Sequence, residues 1–172
     1  MSPPATPDDA VLRTLRALSA EGPPVPVPEL VTQLHRVNAA LWRLEDEARA
    51  AADDEQLGRA KREVDRQNMR RADLVSEIDR VVAAVLPSGR PETAPLSCSV
   101  GASLDRLTVA ALRVAVFAAA GDHRTVDARR QLDDLRAATE ADWLDLRRGR
   151  RRLPQAGVLK RYAPRQSSTA PA

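Results

Sequence analysis

His35, Asn38, Trp42 and Glu45 follow one another at three or four residues, and so do Lys61, Asp65, Asn68 and Arg71. In a helix that spacing lines side chains along one stripe. Asp105 and Arg106, further along, add one charge of each sign. Such a set between helices could hold an anion on Lys61, Arg71 and Arg106, with His35, Asn38 and Asn68 lining the site. Glu45, Asp65 or Asp105 would then orient the ligand or move a proton as general acid or base. Burying an unpaired charge costs on the order of several kcal/mol. The same groups could therefore pair with one another, fix helix register or reach out to water instead. Both readings stand at the level of the residues.

Other chemistry finds less footing. His35 and His123 are the only histidines and lie far apart, so a His-rich metal site is excluded. Glu45, Asp65 and Asp105 could form a carboxylate cluster, but the Glu-x-x-His signature of di-iron bundles does not occur. No metal is expected. Cys98 is the single cysteine, which rules out an intrachain disulfide and a Cys-based zinc site. No Gly-x-Gly phosphate loop is present, and no cofactor is expected. The arginine run Arg147, Arg148, Arg150, Arg151 and Arg152 complements a helix C-terminus. It could also meet nucleic acid, an acidic partner or a membrane surface.

The elements that must position these residues are helices. Leu30, Leu34, Val37, Leu41, Leu44 and Ala48 alternate at four and three, so a first long helix is expected over about 28–51. Asp53 and Gln56 resemble a capping pair that starts a second helix over about 54–86. The turn between them is short, so the second helix folds back antiparallel. Its seam is read as Leu57, Lys61, Val64, Asn68, Arg71, Val75, Ile78, Val82 and Val85. Glu45 would then approach Lys61, with Asn38 nearer Asn68 and Arg71. Residues 87–95 form a proline- and glycine-rich loop. A third helix runs from about Val100 to a stop at Gly121, with Leu104, Leu107, Ala111, Val114 and Ala118 as its seam. Asp122 or Thr125 caps a fourth, carrying Leu132, Leu135, Ala138, Trp143 and Leu146 and stopping before Pro154.

The expected fold is therefore all-α, an antiparallel bundle of four main helices in two hairpins, with a short N-terminal helix near Asp9 to Ala20. Residues 1–27 form a flexible, proline-rich N-terminus, 28–154 the bundle domain and 155–172 a basic, partly disordered tail. A chain of 172 residues with 2% aromatic side chains builds its core from Leu, Val and Ala, which suits close helix packing. The net charge of +3 conceals an asymmetry. Residues 145–165 hold eight bases against Asp145, leaving 19 bases and 23 acids elsewhere, so the body is about −4. An acidic body that almost lacks aromatic stacking platforms disfavours nucleic acid. The start has no basic, apolar leader, and the longest apolar run, 108–120, is too short and interrupted to span a bilayer. A cytoplasmic location is the expectation. Unpaired apolar seams leave room for a homodimer.

Taken in order, the residues named above resemble the bacterial family catalogued as domain of unknown function 4254. Its pattern runs His-Arg-x-Asn-x-x-x-Trp-x-x-Glu-Asp, matched here by His35, Arg36, Asn38, Trp42, Glu45 and Asp46. Lys61, Arg62, Asp65, Asn68, Arg71, Asp73 and Asp79 continue it, and Gly101, Leu104, Asp105, Arg106 and Leu107 close it. The resemblance covers about 34–117, with a fainter echo at Lys160 to Tyr162. The chain departs from the pattern at SCSVGAS before the third helix, and at Ala115, Val116 and Ala118 after its core. The resemblance implies an all-helical cytoplasmic protein associated with glycosyltransferases and with polysaccharide or natural-product assembly. Two functions are compatible with it. One is an accessory protein or enzyme that binds an anionic ligand, such as a sugar phosphate or nucleotide sugar, in the polar site between helices. The other is a non-catalytic partner of a glycosyltransferase, with the seam charges purely structural.

Overall fold

Three helix starts in this chain are set by proline or by a short oxygen-bearing side chain. The helix expected to be capped by Asp122 or Thr125 begins after Arg124 with no side-chain cap. A computed structural model of the protein describes residues 11, 12, 14, 15, 26–86 and 91–154. Four long helices are present among them: α1 (Val27–Arg49), α2 (Asp54–Val85), α3 (Val100–Ala119) and α4 (Thr125–Arg147). Pro28 sits in the first turn of α1, where its missing N–H costs nothing. Asp53 caps α2 by accepting the Gln56 backbone N–H at 2.8 Å. The Gln56 side chain reaches back to the Ala52 N–H, one residue before the position a capping box would use. Ser99 accepts from the Ala102 N–H at the start of α3. Gly121, at φ 64°, supplies the left-handed turn that ends α3. Asp122 then accepts the Arg124 N–H ahead of α4 and is held down to about pKa 2 by the Arg124 side chain and that N–H.

The helices form two hairpins, α1–α2 and α3–α4, as expected. They are joined through α3, which packs on α1, α2 and α4, while the backbone of α4 comes close to α3 alone. Leu34, Ile78, Leu104 and Leu107 are fully enclosed at the centre. The α2–α3 crossing is very close at Gly101. A Cβ there would lie 2.4 Å from the Val75 carbonyl oxygen, and the Gly101 N–H donates to Asp79 Oδ1 at 2.7 Å.

One expectation about α2 is corrected. Lys61 and Asn68 do not lie in its seam; both are exposed, and Val85 is exposed too. The inward stripe is Leu57, Ala60, Val64, Gln67, Arg71, Leu74, Ile78, Val81 and Val82, with Val75 half-buried against the core. The expected and observed stripes share Leu57, Val64, Arg71, Val75, Ile78 and Val82, and differ where Ala60 and Gln67 face inward in place of Lys61 and Asn68. The buried face shifts towards Ala60, Gln67 and Leu74, because burying Leu74 is favourable and burying Lys61 is not. On α4 the same occurs, with Thr139 buried in place of Ala138.

No strand occurs among the described residues; a single parallel bridge joins Pro95 to Arg152. Of the expected N-terminal helix, Val11, Leu12, Thr14 and Leu15 are helical. Its remainder, most of the 1–27 segment and the 155–172 tail lie outside the described residues.

Candidate functional site

Three helices bring one carboxylate, one guanidinium, one amide and one hydroxyl together in the interior. Asp105 on α3 is 8% exposed and Asn38 on α1 is 4% exposed. Asn38 Nδ2 donates to Asp105 Oδ1 at 2.9 Å and to Thr108 Oγ1 at 2.8 Å. Thr108 Oγ1 donates in turn to the Asp105 backbone carbonyl at 2.8 Å. From α2, Arg71 Nε donates to Asp105 Oδ1 at 2.9 Å, and Nη2 donates to Oδ2 at 2.5 Å. That is the bidentate fork for which guanidinium and carboxylate are matched. Donating to the Asp105 carboxylate raises the Arg71 pKa above its ordinary range, so the group is fixed as a cation. Every oxygen of the Asp105 carboxylate is engaged by a donor.

The other residues read as one site divide into two groups. His35 is buried on α1, one turn before Asn38. Glu45, Lys61, Asp65, Asn68 and Arg106 are all exposed, and Trp42 is half-buried. Ion pairs near Glu45 and Lys61 are local to each helix, joining Arg49 to Asp46, Arg59 to Glu55 and Arg66 to Glu63. No ion pair joins Glu45 to Lys61 among the described residues. Asn38 and Arg71 do meet, through Asp105. Thr108 was missed because it reads as the start of an apolar run. Its signal was a hydroxyl three residues past Asp105, on the same helical stripe.

Two further features lie around the start of α3 and the end of α4. A cleft no larger than a water molecule is lined by Leu96, Val100, Ser103, Thr139, Asp142 and Trp143. Cys98, half-buried nearby, shares a contact of 3.1 Å with Ser103 Oγ. After α4 the chain turns at Gly149, at φ 66°, and the arginine run is clamped against 93–96. Arg151 Nη1 donates to the Pro95 carbonyl at 3.3 Å, Arg152 Nε to that of Thr93 at 3.0 Å, and Arg150 pairs with Asp145. Among the described residues no three His, Cys, Asp or Glu side chains gather into a metal-holding group. No described helix is long and apolar enough to cross a membrane.

The family model described as a protein of unknown function (DUF4254) matches residues 28–130. That is more than half of the chain, so the chain belongs to this family. No curated protein matches the chain, and no solved structure does.

Proposed function

We propose that the chain is a non-catalytic interaction partner of a larger enzyme of glycan or secondary-metabolite assembly, with a glycosyltransferase as the class its resemblance points to. The observation that carries this reading is the closed network at Asp105. The charges that could do chemistry in the seam satisfy one another, so their work is to fix the register of three helices. The docking surface is the arginine run from Arg147 to Arg152. Arg151 and Arg152 are held by backbone carbonyls, which orient them without neutralising them. Side chains already ordered lose less entropy on binding. Calorimetry with a purified glycosyltransferase tests this: binding should be measurable and should fall about tenfold or more in Arg148→Glu/Arg151→Glu. Absence of binding, or binding indifferent to that change, overturns it.

A second reading, an anionic-ligand site, is favoured by one observation: the Arg71 side chain remains 36% exposed beyond its fork. Lys61 and Asn68 on the same helix, with Arg106 on α3, would complete an anion seat. Asp65 or Glu45 would orient the ligand. A thermal-shift screen of wild type and Lys61→Ala against sugar phosphates, nucleotide sugars and inorganic phosphate separates the two. Stabilisation of the wild type that Lys61→Ala abolishes would establish the ligand site; no shift is expected if the docking reading holds.

A further inference from the structure

Between Leu41 on α1 and Leu74 on α2 no residue is buried. The upper halves of the two helices, with the turn that joins them, form an arm whose apolar residues are covered on one side only. Trp42, Leu44, Leu57 and Val64 are half-buried along it. Met69, also on the arm, is 62% exposed. Two helices alone bury too little apolar surface to be well held, since helices in proteins depend on packing of an apolar face.

The charge on the arm is divided along its length. The tip, residues 45–55, carries six acids (Glu45, Asp46, Glu47, Asp53, Asp54, Glu55) against Arg49, a net of −5. The shaft of α2, residues 59–70, carries five bases against Glu63 and Asp65, a net of +3, with Arg71 beyond it committed to Asp105. Of the tip acids on α1 only Asp46 has a local partner among the described residues, Arg49. Glu45, Asp46 and Glu47 fall in its last turns, where the negative end of the helix dipole opposes them by about 0.3–1 kcal/mol each. On α2 the tip, at Asp54, and the shaft centre, at Asp65, are roughly 11 residues apart, about 16 Å at 1.5 Å per residue.

We propose that this arm is the contact between two copies of the chain, laid side by side and antiparallel about a two-fold axis. The half-buried stripe of each arm closes on that of the other, making four helices from two pairs. The acidic tip of each copy lies against the basic shaft of its partner, and the two-fold axis makes that match twice. The complementarity comes from one sequence alone, which is why a second copy, rather than another protein, is the occupant. This contact lies at the opposite end of the fold from the arginine run and stands whether or not that run docks an enzyme.

The test is the mass of the full chain in solution, by sedimentation equilibrium over a range of protein and salt concentrations. A dimer is expected at low salt, weakening as salt screens the matched charges. Reversing the tip (Glu45→Lys, Glu47→Lys, Asp54→Lys) or the shaft (Lys61→Glu, Arg62→Glu, Arg70→Glu) should each weaken association by about tenfold or more. All six positions are exposed, so folding should survive, as circular dichroism would verify. An equimolar mixture of the two reversed variants should associate again, because each tip then meets a shaft of opposite sign. A wild type that stays monomeric at every concentration overturns the proposal. So does a dimer that persists in both reversed variants, or a mixture that remains monomeric.

Discussion

Asp105 illustrates how one residue can resemble a catalytic group and yet be fully committed to the fold. Its carboxylate takes Arg71 from one helix and Asn38 from another, so removing it strands a cation and a buried amide together. For a fully buried pair such a loss is about 3–5 kcal/mol. Because Arg71 is more than a third exposed and can turn to water, Asp105→Ala should cost less, about 2–3 kcal/mol by urea unfolding. Lys61→Ala, on the exposed side of α2, should stay within about 0.5 kcal/mol of wild type. Equal losses in the two variants would contradict the division of these residues into an interior network and an outer face. The candidate residues were legible in the sequence as types at helical spacing. Which of them would be interior was not, because Asp105 and Lys61 obey the same spacing rule and only a third helix tells them apart.

At the scale of the helix, the anchors were readable and the phase between them was not. Leu57, Val64, Arg71 and Ile78 recur every seven residues, and any pairing of α2 with a neighbour uses them. The intermediate position can fall three or four residues on, a choice of about 100° that depends on what α3 offers. Gly101 fixes that offer by letting the α3 backbone approach Val75 and Asp79. Two glycines on exposed and crossed helices should therefore answer to alanine with opposite signs. At Gly101 the added carbon meets backbone at 2.4 Å, so the substitution should destabilise by about 1–2 kcal/mol after the gain in helix propensity. At Gly58 the nearest atom is the flexible end of Arg62 at 3.3 Å, so alanine should stabilise by about 0.5–1 kcal/mol. Thermal melts of the two variants check both signs, and destabilisation by Gly58→Ala would contradict the open surface assigned to that turn.

Across the whole molecule the core is off-centre, concentrated where α3 crosses the first hairpin, and stability should follow it. Amides from Leu34 to Leu41, Leu74 to Val82 and Leu104 to Val114 lie where side chains are enclosed, and should exchange with deuterium slowest. Amides of the arm, from Glu45 to Arg70, should exchange faster in dilute protein at high salt. Uniform protection along α1 and α2 under those conditions would show that the arm is held by something within the monomer. The all-helical class, the four helices and their approximate limits, the Asp53 cap and the Gly121 stop followed from the sequence alone. Each depends on periodicity or on a residue's own backbone preference, and those are local properties. The meeting of Asn38, Arg71 and Asp105, the outward face of Lys61 and Asn68, and the uncovered arm were decided only by the tertiary structure. Whether a charged side chain is buried depends on the partner that desolvates it, and here that partner is some 35 or 70 residues away in the chain.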